Sequence, residues 1–153
     1  MADRPLYLED LTVGQVLRSG SHRMEADEIK DFARRYDPQP FHLDEEAARD
    51  SLFGGLAASG FHTAATMMRL LVEGGLPLAG GVIGTGGELT WPRPTRPGDT
   101  LRVESEILEI TPSRSRPGLG TALVRCTMRN QDGEVVQTFT PRVTLQRRPD
   151  RPG

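Results

Sequence analysis

The stretch that decides the fold is "GGLAASGFHTAATMMRLLVEGG", residues 54–75. Ser59 stands where an N-cap belongs, and Phe61 to Val72 is apolar round most of a helical circumference. Gly74 and Gly75 supply the stop. A helix this apolar expects burial on nearly every side, so something in the rest of the chain must enclose it. The segments that follow have the wrong period for helices. "GGVIGTGGELTWPRP" (80–94), "DTLRVESEILEI" (99–110), "GTALVRCTMRNQ" (120–131) and "EVVQTFTPRVTLQ" (134–146) alternate or are rich in β-branched residues, as strands are. Asp132-Gly133 between the last two is a hairpin signal. One buried helix followed by antiparallel strands predicts an α+β domain with the sheet wrapped around the helix.

Upstream, residues 15–24 read as one more extended run. "MEADEIKDFARRYD" (24–37) reads as a helix with Ala26 or Asp27 as cap, Ile29, Phe32 and Ala33 on one stripe, and Arg34 and Arg35 in the last turn. "DEEAARDSLF" (44–53) predicts a short helix capped by Asp44. The whole chain, 1–153, is expected to form a single domain, with a loose entry over 1–12 and a disordered tail over 147–153.

Composition narrows the function classes. Nineteen basic and 21 acidic side chains leave a net charge of −2, without the basic excess of a nucleic-acid binder. No apolar run approaches the roughly 20 residues of a membrane span, and no secretory signal is visible, so a cytoplasmic protein is expected. Cys126 is alone and is expected to be a small core residue.

Chemistry concentrates in "YDPQPFHLD", residues 36–44. Asp37-Pro38 ends the preceding helix, because the residue before proline avoids helical angles. Pro38 and Pro40 fix two φ angles, so the turn can aim His42 reproducibly. A carboxylate near an imidazole can orient its tautomer and tune it for proton transfer near neutrality. The same five-residue spacing also fits an ordinary helix terminator. Ser59-Gly60 is similarly double. Unpaired N–H groups at a helix start are the parts of an oxyanion hole, yet serine is also a common cap. His62 is expected to be a hydrogen-bonded core histidine and His22 a surface one. His42, Asp44 and His62 match no recognised ligand spacing, so no metal is expected. "AASGF" lacks the first glycine of a nucleophile elbow, which excludes serine-hydrolase chemistry.

"YDPQPFHLDEEAA", "FGGLAASGFHTAATMMRLL" and "WPRPTRPGDTLRVESEI", in this order, resemble the MaoC-like dehydratases, the group that includes R-specific enoyl-CoA hydratases. The resemblance spans about residues 10 to 146. It implies a hot-dog fold, a long central helix wrapped by a curved antiparallel sheet, and a homodimer or higher homo-oligomer with an acyl-CoA tunnel near the subunit interface. It implies that Asp37 and His42 activate water for addition to a trans-2-enoyl-CoA, and that the Gly60 N–H holds the thioester oxygen. No cofactor is implied beyond the coenzyme A of the substrate. Gln39 stands where the family often has Asn, and Ser59 where many members have His. Ser59, Phe41, Gln39, Arg93 and Arg96 are the candidate substrate contacts. The arginines, with Arg114 and Arg116, suit phosphate oxygens or serve as solvated charge. Two alternatives stand beside a hydratase: a hot-dog thioesterase and a non-catalytic acyl-CoA-binding subunit.

Overall fold

In the computed structural model, which describes residues 4–150, five antiparallel strands form one sheet in the order β1-β3-β4-β5-β2. They are β1 (Val16–Arg23), β2 (Gly84–Thr90), β3 (Thr100–Pro112), β4 (Leu119–Arg129) and β5 (Val135–Gln146). The helices are α1 (Ala26–Tyr36), α2 (Pro40–Leu43), α3 (Glu45–Arg49) and α4 (Gly60–Leu70). A wider turn over Leu71–Gly75 follows α4 and closes with Leu76 N–H donating to Leu71 O at 2.8 Å. The result is the hot-dog arrangement, with α4 lying against the concave face of the sheet.

Period-two alternation builds the inner face. Leu101, Val103 and Ile107 of β3 point inward with Ala122, Val124, Cys126 and Met128 of β4. They meet Ile29 of α1, Met67 and Leu70 of α4, and Leu71 just past it, in one continuous core. Cys126 is the core residue expected, its thiol pushed up to about 11 by burial. The Asp-Gly hairpin forms as expected. Gly133 takes φ +77°, and Asn130 Oδ1 accepts the N–H groups of Asp132 and Glu134, each at 3.0 Å.

Four local expectations are corrected. First, α4 is not enclosed all round: His62, Thr63, Thr66, Met67 and Leu70 are buried, while Phe61 is 66% and Met68 38% exposed, as is Val72 (59%) just beyond it. A sheet covers one side of a helix, so the opposite stripe stays open within one chain. Second, Glu25 rather than Ala26 or Asp27 caps α1, and Glu28 reaches back to accept the Glu25 N–H at 2.8 Å. Third, the entry is anchored. Leu6 N–H donates to Pro77 O, Ala79 N–H donates to Leu6 O, and Leu11 is buried. Fourth, the expected tail begins pinned. Arg147 N–H donates to Gly118 O, Arg147 pairs with Glu9, and Arg148 pairs with Asp10 at 2.6 Å. The end of that tail, 151–153, lies outside the described residues.

Candidate active site

The tight turn after α1 brings Asp37 and His42 together. Asp37 caps the C-terminal end of α1, its N–H donating to Ala33 O at 2.9 Å. Three residues on, Pro40 opens α2, a single helical turn the sequence pattern did not reveal, and this turn carries His42 inward. His42 Nε2 lies 3.2 Å from Asp37 Oδ2. On its far side, His42 Nδ1 donates to Ala57 O at 2.6 Å, and the ring is only 4% exposed. That second bond fixes the tautomer. With Nδ1 carrying a proton, neutral His42 would aim a lone pair at the carboxylate, so the Nε2–Oδ2 contact is a hydrogen bond only when one further proton is present. The contact thus has room for one proton between the two side chains.

Burial pushes the Asp37 carboxyl toward the neutral form. Hydrogen bonds from Gln39 and Ser59, together with the His42 charge, outweigh that and hold it below its ordinary value of 3.8. Asp37 is thus a carboxylate throughout the neutral range, despite its place at the partially negative end of α1. Ser59 caps α4, its hydroxyl accepting the Phe61 N–H at 3.3 Å, and the same hydroxyl helps to lower the Asp37 pKa. The sequence suggested a cap and a substrate contact, not the influence on Asp37. Gln39 also contacts Asp37, a link invisible to spacing because it closes across Pro38.

Gly60 opens α4, so its amide has no acceptor inside the helix. It lines a pocket of about 390 Å³ together with His42, Phe41, Phe53, Trp91 and Arg93. A Cβ at position 60 would sit 2.8 Å from the Trp91 indole, so glycine is the residue that fits. Phe41 meets the His42 ring edge-on at 4.6 Å and walls the site on that side. Gln39, Phe41, His42 and Gly60 thus line one pocket, while Asp37 meets that lining through His42 and Ser59 stands outside it as the cap of α4.

The arginines divide. Arg93 lines the mouth, 61% exposed, and is paired with Glu134 at 2.7 Å. Arg96 does not reach outward. Its guanidinium donates to Gly55 O at 2.8 Å, Leu56 O at 3.2 Å and Phe53 O. The expected substrate contact is corrected to a brace for the loop leading into Ala57, Ala58 and Ser59, because a planar fork beside three carbonyls is satisfied there. Arg114 and Arg116 do not line the pocket. Arg96→Ala should lower stability by about 2–4 kcal/mol, since charged hydrogen bonds are lost and carbonyls left unpaired. Arg96→Lys should recover only part. Urea midpoints at unchanged slope would read the loss, and an Arg96→Ala midpoint equal to wild type would show the brace to be idle.

His62 and His22 depart from expectation. His62 is buried and stacks on Phe32 at 4.7 Å, but its Nδ1 has no partner among the described residues. Its Nε2 lies 4.0 Å from Glu28, whose carboxylate also meets His22 at 3.0 Å. His22 is thus half-buried and paired rather than free on the surface. Burial lowers the His62 pKa below its ordinary 6.5, with Glu28 opposing and His22 assisting. The unfolded chain therefore takes up this proton first. The stability contribution is full above 6.5 and is lost as pH falls below it. Wild-type protein should lose stability through this group as pH falls from 7 to 5. His62→Gln should flatten that part of the profile, and an unchanged profile would count against it.

The profile of the MaoC like domain family matches residues 10–128. The solved MaoC-like dehydratase from Rhodospirillum rubrum is 62% identical, with a TM-score of 0.93 over 95% of this chain and 99% of that one. The uncharacterized protein YdeM of Bacillus subtilis is 36% identical over 78% of this chain and 85% of its own length. The 3-hydroxybutyryl-CoA dehydratase of Methylorubrum extorquens is 33% identical over 76% of this chain and 73% of its own. No helix of the described residues is long and apolar enough to cross a membrane.

Proposed function

Because the chain belongs to the MaoC-like domain family, whose similar proteins include dehydratases, we propose that this hydratase/dehydratase reversibly adds water to a trans-2-enoyl-CoA to give the (R)-3-hydroxyacyl-CoA. The observation that carries it is the one-proton contact between Asp37 and His42, backed by Ala57 O and set beside a pocket that Gly60 also lines. A water within reach of both side chains gives one proton to the dyad while its oxygen bonds to C3. The C2–C3 π electrons move toward the thioester, whose oxygen becomes an enolate held by the Gly60 N–H. The dyad then returns the proton to C2. One water is consumed, and both its parts are accounted for. Every proton moves through Asp37, His42 and water, so the scheme needs no cofactor beyond the coenzyme A carried by the substrate. Arg93 at the mouth is the side chain best placed to meet the negatively charged end of that substrate.

A hot-dog thioesterase, which generally places its carboxylate on the central helix, is disfavoured because α4 carries none and the next one lies beyond its end. Glu73 is bound to Arg69 at 2.8 Å, more than three turns from Gly60. A homodimer fits the open stripe of Phe61, Met68 and Val72 and the unpaired edge of β2. The deciding experiment offers crotonyl-CoA and longer enoyl-CoAs and follows loss of the conjugated-thioester absorbance, with the stereochemistry of the product determined. Thiol release from saturated acyl-CoA would instead favour the thioesterase. Binding without turnover at any length would favour a carrier subunit.

A further inference from the structure

Trp91, just past the end of β2, is a wall of the site pocket, and two things fix it. Its indole N–H donates to Gln137 Oε1 at 2.8 Å, and the absence of a Cβ on Gly60 gives its ring a seat against α4. Gln137 is itself unusual. It is a wholly buried amide on β5, and its Nε2 donates to Met67 Sδ at 3.2 Å. A buried amide persists where both its ends are occupied, and here both are.

On the other side of this hydrogen bond lies a second cavity of about 130 Å³, between α4 and the sheet. Gln137 lines it, with Ala64, Met68, Leu71, Leu89 and Phe139. Its lining is hydrocarbon and thioether apart from that one amide. Trp91 lines the first space and Gln137 the second, so the hydrogen bond between them ties one lining to the other. Swinging the indole aside would strand the Gln137 oxygen without a partner.

We propose that Trp91, held in place by Gln137, is the residue that limits acyl length, closing the site pocket against the apolar cavity behind it. The proposal rests on the enoyl-CoA function above and adds its specificity: short acyl groups are accepted and long ones are turned away. Opening the partition joins the two spaces and admits further methylenes, each of which gains from burial.

The test measures kcat/KM for trans-2-enoyl-CoAs from four to twelve carbons. Wild-type protein should prefer the four-carbon substrate over the ten-carbon one by roughly a hundredfold. Trp91→Leu should raise the ten-to-four ratio by about tenfold or more, and Gln137→Leu should raise it by less. Ala64→Leu added to Trp91→Leu refills the cavity and should reverse the gain. A purely structural Trp91 would lower all lengths alike. Should Trp91→Leu fail to melt cooperatively, Trp91→Phe and Gln137→Leu report the same ratio. An unmoved ratio in the variants that fold would overturn the proposal, as would a wild type indifferent to length. Wild-type protein that hydrates no enoyl-CoA would instead remove the function on which it rests.

Discussion

Asp37→Ala and His42→Ala are each expected to lower kcat for crotonyl-CoA hydration by about 10³-fold or more. The reason lies in proton accounting. His42 Nδ1 is bound to Ala57 O, so Nε2 is the only ring nitrogen free to exchange a proton with water or substrate. Without Asp37, nothing 3.2 Å away stabilises the protonated ring; without His42, the carboxylate faces water alone and remains a weak base. Each residue is incomplete without the other, so the double variant should be scarcely slower than either single one. Asp37→Asn tests charge apart from shape, because the amide can keep one hydrogen bond while losing the ability to stabilise an imidazolium. Thermal unfolding separates chemistry from folding. His42→Ala leaves a buried carbonyl unpaired and a void, for a loss of about 2–3 kcal/mol, whereas the 20%-exposed Asp37 side chain should cost less. Near-wild-type turnover by folded Asp37→Ala or His42→Ala would remove both from the mechanism.

Gly60→Ala is expected to lower kcat by about 10²-fold, with a smaller change in KM. Alanine normally favours a helix by up to about 1 kcal/mol over glycine. Here the new methyl would sit 2.8 and 2.9 Å from two atoms of the Trp91 ring. The ring is pinned through Gln137, so the backbone of the first turn must yield, and with it the amide direction on which oxyanion stabilisation depends. Overpacking of this kind costs about 1–3 kcal/mol, more than the helix preference returns. Relief should be specific. In the Trp91→Leu background the methyl finds room, and the loss on adding Gly60→Ala should shrink to a few-fold. Equal losses in both backgrounds would show that the ring is not what glycine accommodates.

The strands and both longer helices were legible because each repeats a period over many residues. The core positions of β3 and β4 follow directly from alternation. Asp37, His42 and Gly60 were legible as motif positions. Their supports were not. Arg96 looked like a phosphate ligand because its partners, the carbonyls of residues 53, 55 and 56, are some forty residues away and carry no side-chain signature. Trp91 and Gln137 meet across 46 residues. The one trace in the sequence is a glutamine directly after Val135 and Val136 at the start of β5. The open side of α4 was misjudged because periodicity reports how apolar a helix is, not whether the same chain covers it.

The Ala57 carbonyl behind His42 has a stereochemical corollary. A ring anchored at its back cannot rotate to present a second nitrogen on the opposite side of a flat substrate. In the proposed reaction, hydroxyl and hydrogen must therefore arrive from the same hemisphere, making the addition suprafacial. The handedness of the product at C3 is then set by which way the alkene lies over the imidazole, a matter of how the thioester is laid down rather than of the proton donor.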